Sequence, residues 1–252
     1  MSARGGRLTM FLPVFVTLTL GAVVGLLVVV QAQRQGAQVA EADEVATQYL
    51  SEVGTFRAEV AREVRGSRQA DPGDLRRVVR KVIADPPRLG DAPAYGTERS
   101  EVWQEAVATQ KTLLEPYQRL SRTLRRADAG VDYIEAARKV LGMRASDYVG
   151  SGVLSTSTPV RDRLIPAFVR ALDELDAVPV PQGQQQLAGT VRGAVQYVID
   201  QATALADSIE ANRSFSFTYA EQFQTAIDAV DDYATVVEGD VTEAVNAVTD
   251  PS

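Results

Sequence analysis

QRQGAQVAEADEVATQYLSEVGTFRAEVAREVR, residues 33–65, decides the fold class. Its apolar positions Val39, Ala42, Ala46, Tyr49, Val53, Phe56 and Val60 recur at steps of three and four. That spacing matches the 3.6-residue turn of a helix and draws one narrow apolar seam along it. The reading is a helix from about Gln33 to Arg65, able to continue directly from the residues before it.

Those preceding residues are of a different kind. Leu8 to Val30 reads LTMFLPVFVTLTLGAVVGLLVVV, an uncharged run in which only Thr9, Thr17 and Thr19 are polar. About 20 apolar residues at ~1.5 Å per residue cross a hydrocarbon core of about 30 Å. A secretory signal carries a shorter apolar stretch of about 7–15 residues. Val30-Gln31-Ala32 fits a small-residue cleavage site loosely, so a cleaved signal is the alternative to a retained anchor. Arg4 and Arg7 precede the run, and Glu41, Asp43 and Glu44 soon follow it. Basic flanks stay on the cytoplasmic side. The expected layout is a short cytoplasmic tail (1–7), a transmembrane signal anchor (8–31), a membrane-proximal long helix serving as stalk and bundle element (32–66), and the remainder of an extracytoplasmic bundle (67–252). Localisation follows as the plasma membrane, single-pass, with the N-terminus cytoplasmic. Within the run, Gly21 and Gly25 form a small-xxx-small pair, the spacing that lets two membrane helices approach closely.

Downstream the three-four steps return. Trp103, Ala106, Gln110, Leu113, Tyr117, Leu120 and Leu124 form a second seam with one polar interruption. Leu187, Val191, Ala194, Val198, Ala202, Leu205 and Ile209 form a third, and Phe223, Ile227, Val230, Ala234, Val237, Val241 and Val245 a fourth. No comparable alternating run argues for a sheet. The fold class is therefore all-α, with one transmembrane helix and a single bundle of about four long helices joined by shorter ones.

Punctuation sets the expected boundaries. Asp71-Pro72 opens a short helix that ends near Asp85-Pro86-Pro87, and residues 86–97 are a loop. Thr97 caps a helix from Glu98 to about Ala127, kinked near Pro116. Val131 to Leu141 is a separate short helix. Thr158-Pro159 starts another, with Val160, Leu164, Phe168, Leu172 and Leu175 facing inward and Pro166 kinking or restarting it. Gly239 is a candidate interruption of the last helix. Gly189 and Gly193 mark either a close helix crossing, because a helical glycine costs about 1 kcal/mol relative to alanine, or a neutral accident of sequence. Trp103 is expected in the core. Residues 212–218, NRSFSFT, are either a bend or more helix, and their aromatic residues either top the bundle or form an exposed patch.

Composition narrows the chemistry. The chain contains neither cysteine nor histidine. This excludes disulfides, thiolate nucleophiles, imidazole bases and Cys/His metal sites. Ser-x-x-Lys, GxxxxGK, GxGxxG and calcium-loop patterns are missing as well. Acid pairs such as Glu101 and Glu105, or Asp231 and Asp232, have a spacing found on any exposed helix face. The sequence thus gives no catalytic, cofactor-binding or metal residues, and the expectation is a non-enzymatic protein.

Charge is unevenly placed along the chain, whose net is −7. Residues 196–252 hold eleven acids and one base, Arg213; the rest holds 25 bases and 22 acids. A net-acidic chain is a poor nucleic-acid binder. Basic residues gather as Arg57, Arg62, Arg65 and Arg68, as Arg76, Arg77, Arg80 and Lys81, and as Arg119, Arg122, Arg125 and Arg126. The acidic final helices could dock on these basic ones. Arg76, Arg77, Arg80 and Lys81 are the candidate contact for an anionic partner or lipid head groups. The expected partners are the bilayer and a membrane or envelope protein or second copy, reached by protein–protein interaction. The alternative is a sensory module for a small molecule or lipid.

Overall fold

In the computed structural model the backbone is described for residues 12–150 and 154–250, and side-chain surroundings from Gln31 onward. All regular structure among the described residues is helical. The helices are α1 (Leu12–Gly66), α2 (Pro72–Val82), α3 (Ala94–Arg99), α4 (Glu101–Thr112), α5 (Glu115–Leu141), α6 (Ser146–Val149), α7 (Ile165–Asp176), α8 (Gln185–Glu210) and α9 (Ala220–Thr249). A single π-turn, Val160–Leu164, precedes α7. Among the described residues no helix is long and apolar enough to cross a membrane. The proposed span 8–31, with Gly21 and Gly25, lies outside the described residues, apart from the helical backbone of α1 from Leu12 onward.

The chain divides into two compact units. One comprises residues 1–59 and 85–114; the other comprises 60–84 and 115–252.

In the first unit the seam of α1 is buried at Ala42, Ala46, Tyr49, Val53 and Phe56. The segment carrying α3 lies close against it. A methyl group on Gly96 would sit 2.1 Å from the Gln38 carbonyl oxygen, so only glycine permits this approach. Ser100 has two roles there. Its hydroxyl accepts from the Trp103 N–H, capping α4, and donates to the Asp43 carboxylate on α1. The cap is therefore Ser100, not Thr97, which falls inside α3. Trp103 is only half-buried rather than part of the core.

The second unit holds the main core. Its apolar cluster joins α5, the π-turn, α7, α8 and α9, with Tyr133, Phe168, Leu164, Val198 and Val230 among its buried members. Val60 and Val64 at the end of α1, and Leu75 and Val79 of α2, are also buried. Paired residues give the directions. Arg161 meets Asp207 and Glu210 while Arg192 meets Asp176, so α7 and α8 run antiparallel. Gly130 lies beside Tyr233 and Val237, and Arg138 bonds Asp231, so α5 and α9 also run antiparallel.

Proline and glycine act differently here from the expected punctuation. The expected kink at Pro116 is a break, and α5 restarts with Pro116 in its first turn, where a missing N–H costs nothing. Pro166 does restart a helix: it opens α7, and just before it the Ile165 N–H reaches five residues back to Val160. The predicted gap before Val131 is absent, because Gly130 is a buried contact within a continuous α5. Gly239 does not interrupt α9. Gly189 and Gly193 have open space beside them, so neither marks a helix crossing.

Residues 212–218 are a bend. Asn212 has φ 54°, the left-handed conformation that closes a helix. Its N–H bonds Ile209 and the Arg213 N–H bonds Ser208, the double closure of a Schellman motif. Past the bend, Phe217, Tyr219, Phe223, Phe168 and Tyr148 form a chain of tilted and edge-on ring contacts. The Tyr219 hydroxyl accepts from the Ala145 N–H at 3.1 Å. Phe215 remains exposed.

Candidate interaction groove

A groove of about 930 Å³ opens between α5 and α9, lined by residues between 116 and 129 of the one and between 233 and 247 of the other. Next to it Gly130 of α5 packs on Tyr233 and Val237 of α9. The floor is apolar, formed by Leu120, Ala127 and Val237. Pro181 and Gln182 from the α7–α8 connection close one side. Val236 on the rim is 56% exposed, the largest value among the exposed large hydrophobic residues described.

The walls differ in sign. Residues 118–127 of α5 contain Arg119, Arg122, Arg125 and Arg126 and no acid; three of these, Arg119, Arg125 and Arg126, line the groove. Helix α9 contains no base at all, and Asp240 and Glu243 line its side. Among the described residues, none of these four arginines has a carboxylate within 4.0 Å. At the closed end the same two helices do bond, through Arg138 and Asp231 at 2.7 Å. Tyr233 stands where closed becomes open. Burial first, and the nearby charge of Asp240 second, raise its hydroxyl above the usual tyrosine range.

No protein family, characterised protein or solved structure matches this chain. Its reading therefore rests on its own geometry.

The sequence-predicted anionic contact lies on α2. Arg77, Arg80 and Lys81 are exposed, and Arg77 is paired with Asp74 one turn away. Arg76 is turned partly inward, with its Nε buried and without a hydrogen-bond partner among the described residues. The buried face of α2, Leu75 and Val79, lies opposite Arg77, Arg80 and Lys81, with Arg76 at its border. Gly21 and Gly25 lie outside the described side-chain surroundings.

The docking of acidic helices on basic ones is realised partly. Arg65 reaches Asp250 and the Thr249 carbonyl. Other inter-helix pairs among the described residues use bases outside the three clusters: Arg138, Lys139, Arg161 and Arg192. Arg161 is held by both Glu210 and Asp207, which raises its already high pKa. The Arg161 and Ser157 hydrogen bonds hold Glu210 below the usual carboxylate range, and Lys139 does the same for Glu174. These pairs are exposed, so solvent screens them and each contributes little to stability.

Proposed function

We propose that this chain is a non-enzymatic, single-pass membrane protein whose helical part, outside the cytoplasm, docks a protein of the membrane or envelope. The observation that carries the proposal is the uncharged run Leu8–Val30, which feeds into a helix that continues without a break to Gly66. An anchor continuous with the folded part fixes that part close to a membrane. The open groove between α5 and α9 supports docking. Exposed charged walls, an exposed apolar rim and a shallow apolar floor have the make-up of a protein-binding surface.

Protease added to intact cells tests the reading. It should remove the helical part while cytoplasmic proteins survive, and purification in mild detergent should recover a stoichiometric partner or a second copy. A protease-resistant chain that purifies alone as a monomer would overturn it.

A sensory or carrier module is the second reading. It is favoured by the groove volume of about 930 Å³, within the range of ligand pockets. A rise in melting temperature with a member of a lipid and metabolite panel would support it, since a ligand of the native state stabilises that state.

A further inference from the structure

We propose that the groove between α5 and α9 is the face through which two copies of this chain associate. The inference rests on the docking function proposed above and names the partner.

The charge layout carries it. One wall bears Arg119, Arg125 and Arg126 and the other bears Asp240 and Glu243. A surface with parallel stripes of opposite sign is its own complement. A two-fold axis running along the groove sets each basic wall over the acidic wall of the other copy. The same operation sets the apolar floors face to face and carries Val236, the most exposed large apolar side chain described, from the α9 rim over the α5 wall of the other copy. Among the described residues of one copy these arginines have no carboxylate within 4.0 Å, so they are available to a partner. A nucleic acid or a uniformly acidic protein would be repelled by Asp240 and Glu243; a uniformly basic one would be repelled by the arginines. Complementarity of this kind sets orientation and excludes wrong partners.

The test is a charge-swap pair in the full chain, purified in detergent. The first variant carries Arg119→Glu, Arg125→Glu and Arg126→Glu, so both walls are acidic. The second carries Asp240→Arg and Glu243→Arg, so both walls are basic. The wild type should sediment as a dimer whose affinity falls as salt is raised, since screening shortens from ~30 Å at ~0.01 M to ~3 Å at ~1 M. Each variant alone should bind itself at least ~10-fold more weakly, in line with the cost of like charges at an interface. Mixed, the two should form a heterodimer, because every wall then meets its opposite. A variant that failed to fold could not be rescued by mixing, and its circular dichroism would show the loss independently.

Three outcomes overturn the proposal: a wild-type monomer at every concentration reached, a wild-type dimer that neither variant weakens, or a mixture that stays monomeric although both variants fold. None of these removes the docking reading, which stands if the monomer remains membrane-bound and recovers a different stoichiometric partner. The docking reading fails separately, if the chain is not held in membranes.

Discussion

The two ends of the α5–α9 pair make opposite use of the same two helices. Toward the C-terminus of α5, Gly130 removes a side chain at the crossing and a methyl group there would lie 2.8 Å from the Tyr233 hydroxyl. Tyr133, Ile134, Ala137 and Val140 are buried there, and Arg138 closes the edge on Asp231. Toward its N-terminus the corresponding turns carry Arg119, Arg125 and Arg126, and both helices line an open groove. Closeness of packing thus follows residue size and charge turn by turn, not helix identity. One end serves stability and the other presents a surface.

That contrast orders the expected effects of mutation. Phe168 is fully buried and touches Tyr148 and Phe223 at the closed end. Phe168→Ala should lower unfolding free energy by about 3–5 kcal/mol, read by denaturant titration. Gly130→Val should cost about 1–3 kcal/mol by forcing Tyr233 and Val237 away from α5. A loss as small as that of a surface substitution would mean that the two helices are not in close contact there. At the open end, Arg125→Ala and Arg126→Ala should change monomer stability by less than about 0.5 kcal/mol each, since both side chains are exposed and without a carboxylate partner.

The smallest effect is in acid. Glu174 and Glu210 have folded-state pKa values below their unfolded value of about 4.3. A lowered carboxylate pKa stabilises the fold above the unfolded value, and that contribution is lost as pH falls through the folded one. Melting temperature should therefore decline below about pH 4.3. Glu210→Gln should flatten the decline slightly, and an unchanged profile would show that the Arg161 pair contributes nothing measurable.

Much of the packing is legible in the sequence, and little of the groove is. Apolar spacing alone places Ala42, Tyr49, Val53, Leu120, Val191, Val198, Phe223 and Val230 in buried positions, because a helix must present its seam to a neighbour. Asp71-Pro72 opens α2 as read, because proline suits a first turn. The errors are at residues whose effect depends on what lies opposite. The gap read between Ala127 and Val131 is continuous helix, in which Gly130 admits Tyr233; of the two readings of Gly189 and Gly193, a crossing and an accident of sequence, the open space beside them favours the second. Spacing cannot distinguish these cases, since the partner helix lies about a hundred residues away in sequence. The groove left only a charge signal: a basic cluster at 119–126 and an acidic tail. Nothing in either segment states that the two face each other without touching.

The central claim is that the rod beginning at the uncharged run is held in lipid and continues into the folded part. Washing native membranes with alkaline carbonate tests it most directly, because the wash strips peripheral proteins and leaves embedded helices. The account predicts that the whole chain stays in the membrane pellet. Its release at full length into the supernatant would contradict the claim.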